Sequence, residues 1–202
     1  MAGKTLPTYE MLVGDPTDGE VAVDFVAVVD DPAIKRGWMK FDGKRPYKFE
    51  VTDTERRIIT GALMIADLPI YRRDDERGEY NVVFRKPTIE NIVKKWGKGG
   101  YHNNVNRMHD GSDRPTGIYL IESFLIDKAR GIQTPAIFDA APDGSWFASY
   151  YVENDELWQQ VKDGTFTGFS VEGFFELAMS AHKEQKPSDL ERGLIALSAA
   201  LS

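Results

Sequence analysis

The 202-residue sequence contains no cysteine. That absence excludes disulfide staples, thiolate nucleophiles and zinc–thiolate sites together, and it fits a reducing compartment. Histidine is scarce: His102, His109 and His182 are the whole supply, so any mechanism that needs an imidazole has three places to find one. No apolar run approaches the ~20 residues that span a bilayer. Residues 1–11 carry polar side chains and Pro7 where a signal peptide would need an apolar block. The expectation is no membrane partner, and action in the compartment of synthesis. Basic charge is in deficit, with 25 Lys and Arg against 32 Asp and Glu for a formal net charge of -7. Affinity for a phosphate backbone comes mainly from Lys and Arg, so no direct nucleic-acid partner is expected. Arg72, Arg73, Arg77, Arg85 and Lys86 lie close in sequence, but Asp74, Asp75, Glu76 and Glu79 interrupt them, which reads as a solvated charged loop. A glycine-rich phosphate loop, a dinucleotide fingerprint and the HExxH zinc spacing are all missing, and no cofactor is expected.

What is present has the composition of a globular protein: 42% hydrophobic and 28% charged residues, enough for one well-buried core. Residues 1–20, with Gly14, Asp15, Pro16, Asp18 and Gly19, read as a flexible leader. The Val- and Phe-rich segment 21–29 reads as a buried strand stopped by Asp30, Asp31 and Pro32. Further strands are expected over 57–65, 80–84, 117–126, 145–152 and 165–177, the last broken by Gly168 and Gly173. Pro87 opens a helix over 87–96, in which Ile89, Ile92, Val93 and Trp96 share a face before Gly97, Gly99 and Gly100. A second helix over 154–161 is capped by Asn154 or Asp155. Ser188 and Glu191 fit a capping box for a C-terminal helix carrying Leu190, Leu194, Ile195 and Leu197, with a linker over 183–187 before it. Six or seven strands and three helices, spaced too closely for repeated crossover helices, predict an α+β domain over 21–180. It would be a mainly antiparallel sheet or barrel surrounded by helices, followed by linker and helix over 181–202.

Without cysteine, hydrolytic chemistry needs a serine or threonine, a carboxylate pair or a metal. His102, His109, Asp110 and Asp113 are the metal-ligand candidates, but their segment is Asn- and Gly-rich and no metal site is expected. Asp30, Asp31, Glu122 and Glu172 offer carboxylates without a spacing that singles out a pair. The serine candidate is Ser170, in Gly168-Phe169-Ser170-Val171-Glu172-Gly173. A serine hydroxyl is a weak nucleophile until a base, usually His, takes its proton. His182 lies in the polar tail, which leaves His102 and His109 as bases. Flanking glycines admit close approach of a substrate backbone. The spacing is not that of the GxSxG elbow. Pattern alone therefore leaves two readings open: a nucleophile, or a bulged strand with an exposed hydroxyl.

Five blocks, in order, carry a family resemblance. They are Val23-Asp24-Phe25-Val26-Ala27-Val28-Val29-Asp30-Asp31-Pro32-Ala33-Ile34; Ile59-Thr60-Gly61-Ala62-Leu63-Met64-Ile65 with Pro69-Ile70-Tyr71-Arg72; His102-Asn103-Asn104-Val105-Asn106-Arg107-Met108-His109-Asp110; Ile121-Glu122-Ser123-Phe124; and the run from Val161 to Phe174 around Ser170. On these the chain resembles the XkdF-type phage serine proteases, a branch of the prohead maturation proteases related in fold to herpesvirus assemblin. The resemblance implies an antiparallel barrel with helices around it, Ser170 as nucleophile and His109 as base. Glu122 is the first choice for the carboxylate behind His109, with Asp24 second and Glu172 third. It also implies scaffolding protein and major capsid protein as substrates, self-cleavage, a homodimer, and a place in the host cytoplasm inside the procapsid. The other class kept open is a non-catalytic procapsid scaffold or core component that retains the fold.

Overall fold

The structure is a computed structural model that describes residues 6–13, 23–30, 49–173 and 176–179. In chain order these form β1 (Thr8–Leu12), β2 (Phe25–Val29), β3 (Glu50–Asp53), β4 (Ile58–Met64), β5 (Ile70–Asp74), β6 (Gly78–Val83), α1 (Lys86–Gly99), β7 (Val105–Arg107), β8 (Ile118–Leu125), β9 (Trp146–Val152), α2 (Asp155–Lys162), β10 (Gly168–Glu172) and β11 (Glu176–Met179). Single 3-10 turns cover Tyr101–Asn103 and Lys128–Arg130.

The strands make three sheets, ordered β11-β1-β6-β5, β10-β2-β7 and β3-β4-β9-β8. β1 with β6 and β2 with β7 are parallel, and every other pairing is antiparallel. The expected α+β class stands, with mostly sheet and two α-helices among the described residues. The expected barrel does not. Closure requires each strand to have two ladder partners, whereas β5, β11, β7, β10, β3 and β8 each end a sheet among the described strands.

The core centres on β9, where Trp146, Phe147, Ala148, Tyr150 and Val152 are all fully buried, as expected of a strand covered on both faces. α1 lays Ile89, Ile92 and Trp96 onto this core and ends at Gly100, whose φ of 71° is open to glycine at little cost. The helix therefore runs through Gly97 and Gly99 rather than stopping at the first glycine. α2 begins where Asn154 accepts a hydrogen bond from the Leu157 amide at 2.8 Å, and it buries Leu157, Trp158 and Val161.

Three stretches differ from expectation. Part of the expected leader is β1, held between β6 and β11. The first part of the expected charged loop is β5, which forms a hairpin with β6, the strand expected over 80–84; within it Asp74 accepts from the Arg77 amide and from the Tyr80 hydroxyl. The expected last strand divides into β10 and β11, which join different sheets. The C-terminal helix and its linker lie outside the described residues. Among the described residues no helix is long and apolar enough to cross a membrane.

Candidate active site

The alternation along β10 decides what faces where. Phe169 is 1% exposed, its ring 5.1 Å from that of Phe49 and 5.3 Å from that of Tyr150. Successive residues of a strand point to opposite faces, so Ser170 and Glu172 share the face turned away from Phe169. Ser170 pairs with Ala27 of β2, and Ala27 pairs with Asn106 of β7, which puts all three in one row across the sheet. The small Ala27 side chain leaves room over the middle strand. Across it, Asn106 Nδ2 donates to Glu172 Oε1 at 2.7 Å.

His109 follows β7 in a tight turn. Arg107 and Asp110 bridge, the Asp110 amide donates to the Arg107 carbonyl at 2.9 Å, and the two residues between them, Met108 and His109, have φ of 53° and 64°. Two successive left-handed residues are the signature of a type I′ turn, which usually takes Asn or Gly. Each non-glycine residue there costs on the order of 1–3 kcal/mol, strain that persists only where the surroundings impose it. The surroundings do impose it. The Met108 amide donates to the Val28 carbonyl at 3.0 Å, and the Arg107 amide to that of Asp113 at 3.0 Å. Asp110 Oδ1 accepts from the Ser112 hydroxyl at 2.6 Å and from the Ser112 amide at 2.8 Å. Those two bonds hold the Asp110 carboxyl below its ordinary pKa.

The turn delivers the imidazole to β10: His109 Nδ1 lies 3.1 Å from Glu172 Oε1. An ionised carboxylate only accepts hydrogen bonds, so in the neutral ring the proton belongs on Nδ1, and Nε2 keeps the lone pair that a base needs. Glu172 Oε1 thus accepts from Asn106 and lies within 3.1 Å of the His109 ring nitrogen. Asn106 is fully buried, and its Oδ1 has no hydrogen-bond partner. Flipping the amide would turn that oxygen onto the carboxylate, so the orientation is set by Glu172. Among the described residues no hydrogen bond joins Ser170 Oγ to the His109 ring. The two are related through Glu172, two residues along the strand from Ser170 and in contact with the ring.

The other expected residues lie elsewhere. Glu122 stands on β8, where strand register sets it against Ser149 of β9 rather than against His109. Its Oε2 accepts from Ser149 Oγ at 2.6 Å, and the row continues to Thr60 at 2.9 Å and to Thr52 at 3.2 Å. Asp24 meets Glu172 only through the backbone, its amide donating to the Glu172 carbonyl at 3.1 Å. The His102 ring packs edge-on against Trp96 at 4.7 Å. His182 lies outside the described residues. Among the described residues no group of three or more His, Cys, Asp or Glu is placed to hold a metal ion. In the sequence Glu172 stands third among the candidate carboxylates and Asn106 carries no role. The signal was nevertheless there, since Ser170 and Glu172 are two apart in a strand.

Ser170 also forms part of the wall of a mainly apolar pocket of about 170 Å³, which Met11, Leu63, Leu68, Ile70, Val82 and Phe84 help to line.

Searches among curated proteins and among solved structures find no match. A scan against protein families matches residues 48–178, well over half of the chain and a span that includes both His109 and Ser170. On that match the chain belongs to the family described as "Putative phage serine protease XkdF".

Proposed function

We propose that this protein is a serine endopeptidase of phage procapsid maturation, with Ser170 as nucleophile, His109 as general base and Glu172 as the carboxylate that orients and supports the imidazole. The observation that carries the reading is the contact of His109 Nδ1 with Glu172 at 3.1 Å, made on the strand face that also bears Ser170. His109 Nε2 takes the Ser170 proton as Oγ attacks the scissile carbonyl carbon. The same proton passes to the leaving amine as the C–N bond breaks, which leaves an acyl-enzyme. Water, deprotonated by His109, then releases the acid and restores Ser170. Glu172 opposes the positive charge that His109 gains in both steps. In unliganded enzymes the nucleophile–base hydrogen bond is often open and closes with substrate, which fits its absence between Ser170 and His109. The substrates proposed are scaffolding protein and major capsid protein, met inside the procapsid in the host cytoplasm, where confinement raises their effective concentration.

Co-expression of the protein with its scaffold and capsid partners tests this. Trimming by the wild type that stops with Ser170→Ala, while shells still assemble, is the expected result. Trimming that continues in Ser170→Ala overturns the reading. Shells that need the chain but show no Ser170-dependent trimming point to a non-catalytic scaffold component.

A further inference from the structure

The pocket beside Ser170 is built where the three sheets meet. Met11 comes from β1, Ile70 from β5, Val82 from β6 and Leu63 from β4, while Phe169, Ser170 and Val171 of β10 complete the wall. Pockets at such junctions, largely apolar with a few polar groups, are the usual form of ligand subsites. We infer that this pocket receives the side chain of the substrate residue whose carbonyl Ser170 attacks, and that it selects leucine, methionine or phenylalanine there. The inference rests on Ser170 being the nucleophile.

Reach, size and chemistry carry it. The attacked carbon must come within about 3–3.5 Å of Ser170 Oγ, and its side chain starts on the next atom of the same residue. A cavity that has Ser170 among its lining residues, beside Phe169 and Val171, lies within reach of that side chain. An apolar cavity of about 150 Å³ holds a benzene ring, so about 170 Å³ has room for a phenyl or isobutyl group. Arg72 is the lone charged residue among those lining the pocket, and its guanidinium donates to the Tyr71 carbonyl at 2.9 Å. Any charged side chain would lose hydration against the apolar wall. A small side chain would leave the volume empty.

Two measurements on the full chain test the inference. Labelling by a fluorophosphonate probe, with Ser170→Ala as blank, reads the nucleophile without regard to substrate side chain. Digestion of a randomised peptide library, with products read by mass spectrometry, reads the residue at each new C-terminus. The expected termini are Leu, Met and Phe, with kcat/KM about 10–100-fold above alanine at that position. Leu68→Trp, which fills the pocket from a half-buried position, should cut the Phe-to-Ala ratio at least tenfold, and Met11→Trp should do so from the opposite strand if the first variant does not fold. Labelling together with C-termini of Asp, Glu, Lys, Arg, Gly or Ala overturns the subsite while the nucleophile stands. An unchanged Phe-to-Ala ratio in both variants does the same. Absence of both Ser170-dependent labelling and Ser170-dependent products overturns the protease reading, and the subsite with it.

Discussion

Glu172 and Glu122 differ in what they touch, and a pair of isosteric substitutions separates their roles. Glu172→Gln keeps an oxygen that can accept from both His109 and Asn106 but removes the charge that supports an imidazolium. The expected result is a fall in kcat of about 10²–10⁴ with little change in KM. Glu122→Gln alters a half-exposed hydrogen-bonded row across β8, β9 and β4, so kcat should stay within about threefold while stability drops by ~1 kcal/mol. Steady-state kinetics and urea midpoints on both variants check this, and equal kinetic losses would remove Glu172 from its place. The His109 turn makes a second prediction. The Asp110 carboxyl is held low by the Ser112 hydroxyl and then the Ser112 amide. A group with a lowered folded pKa contributes stability above its unfolded pKa and loses that contribution as pH falls through the folded one. Asp110→Asn should therefore flatten the acid limb of stability between about pH 5 and 2, read as urea midpoints against pH. A limb of unchanged slope would show that this carboxylate does not fasten the turn.

At the scale of elements, packing around β10 turns on a missing methyl group. A Cβ on Gly61 of β4 would come within 2.8 Å of Phe49 Cβ and 3.1 Å of the Phe169 ring. Gly61→Ala must push both aromatics, at a cost of about 1–3 kcal/mol, or a Tm lower by roughly 2–12 °C for a chain of this size. Because Phe169 adjoins Ser170, fluorophosphonate labelling should slow as well. A variant that melts and labels like the wild type would show that β10 is indifferent to its neighbour. The same elements explain what the sequence could reveal. α1 and α2 are legible because their signals are local: Pro87 at one start, Asn154 capping the other, and apolar residues three and four apart. β1 and β7 are strands of three to five residues whose partners are far away in the chain, and no local pattern announces them. β5 reads as part of a charged loop because the charges of its hairpin are satisfied by one another, Arg77 with Asp74 and Glu76. Ser170 and His109 enter as candidates through the blocks around them. The carboxylate that meets the His109 ring is not announced there, since nearness in sequence favours Glu122, whereas strand register brings Glu172 beside it.

For the whole molecule, the span shared with the family and the unit that builds the site are not the same. The family match begins at residue 48, yet β2 lies before it, at Phe25–Val29, and is the middle strand of β10-β2-β7. Val26 and Val28 are fully buried in the main core, and Ala27 stands between Ser170 and Asn106 in the row across the sheet. The Met108 amide, which helps to hold the His109 turn, donates to Val28. Without β2, then, β10 and β7 have no strand to join them, Glu172 has no fixed distance to Asn106, and the left-handed turn loses one of the bonds that offset its strain. β1 acts similarly for the strand after the site: it is the ladder partner of β11 and contributes Met11 to the pocket. A fragment of residues 48–178 should therefore fail to react with a fluorophosphonate probe under conditions where the full chain labels at Ser170. Co-expression of residues 1–47 as a separate segment should restore labelling, because strand addition regenerates the buried ladder. Full-rate labelling of the fragment alone would show that the nucleophile and its base need no strand from outside the shared span.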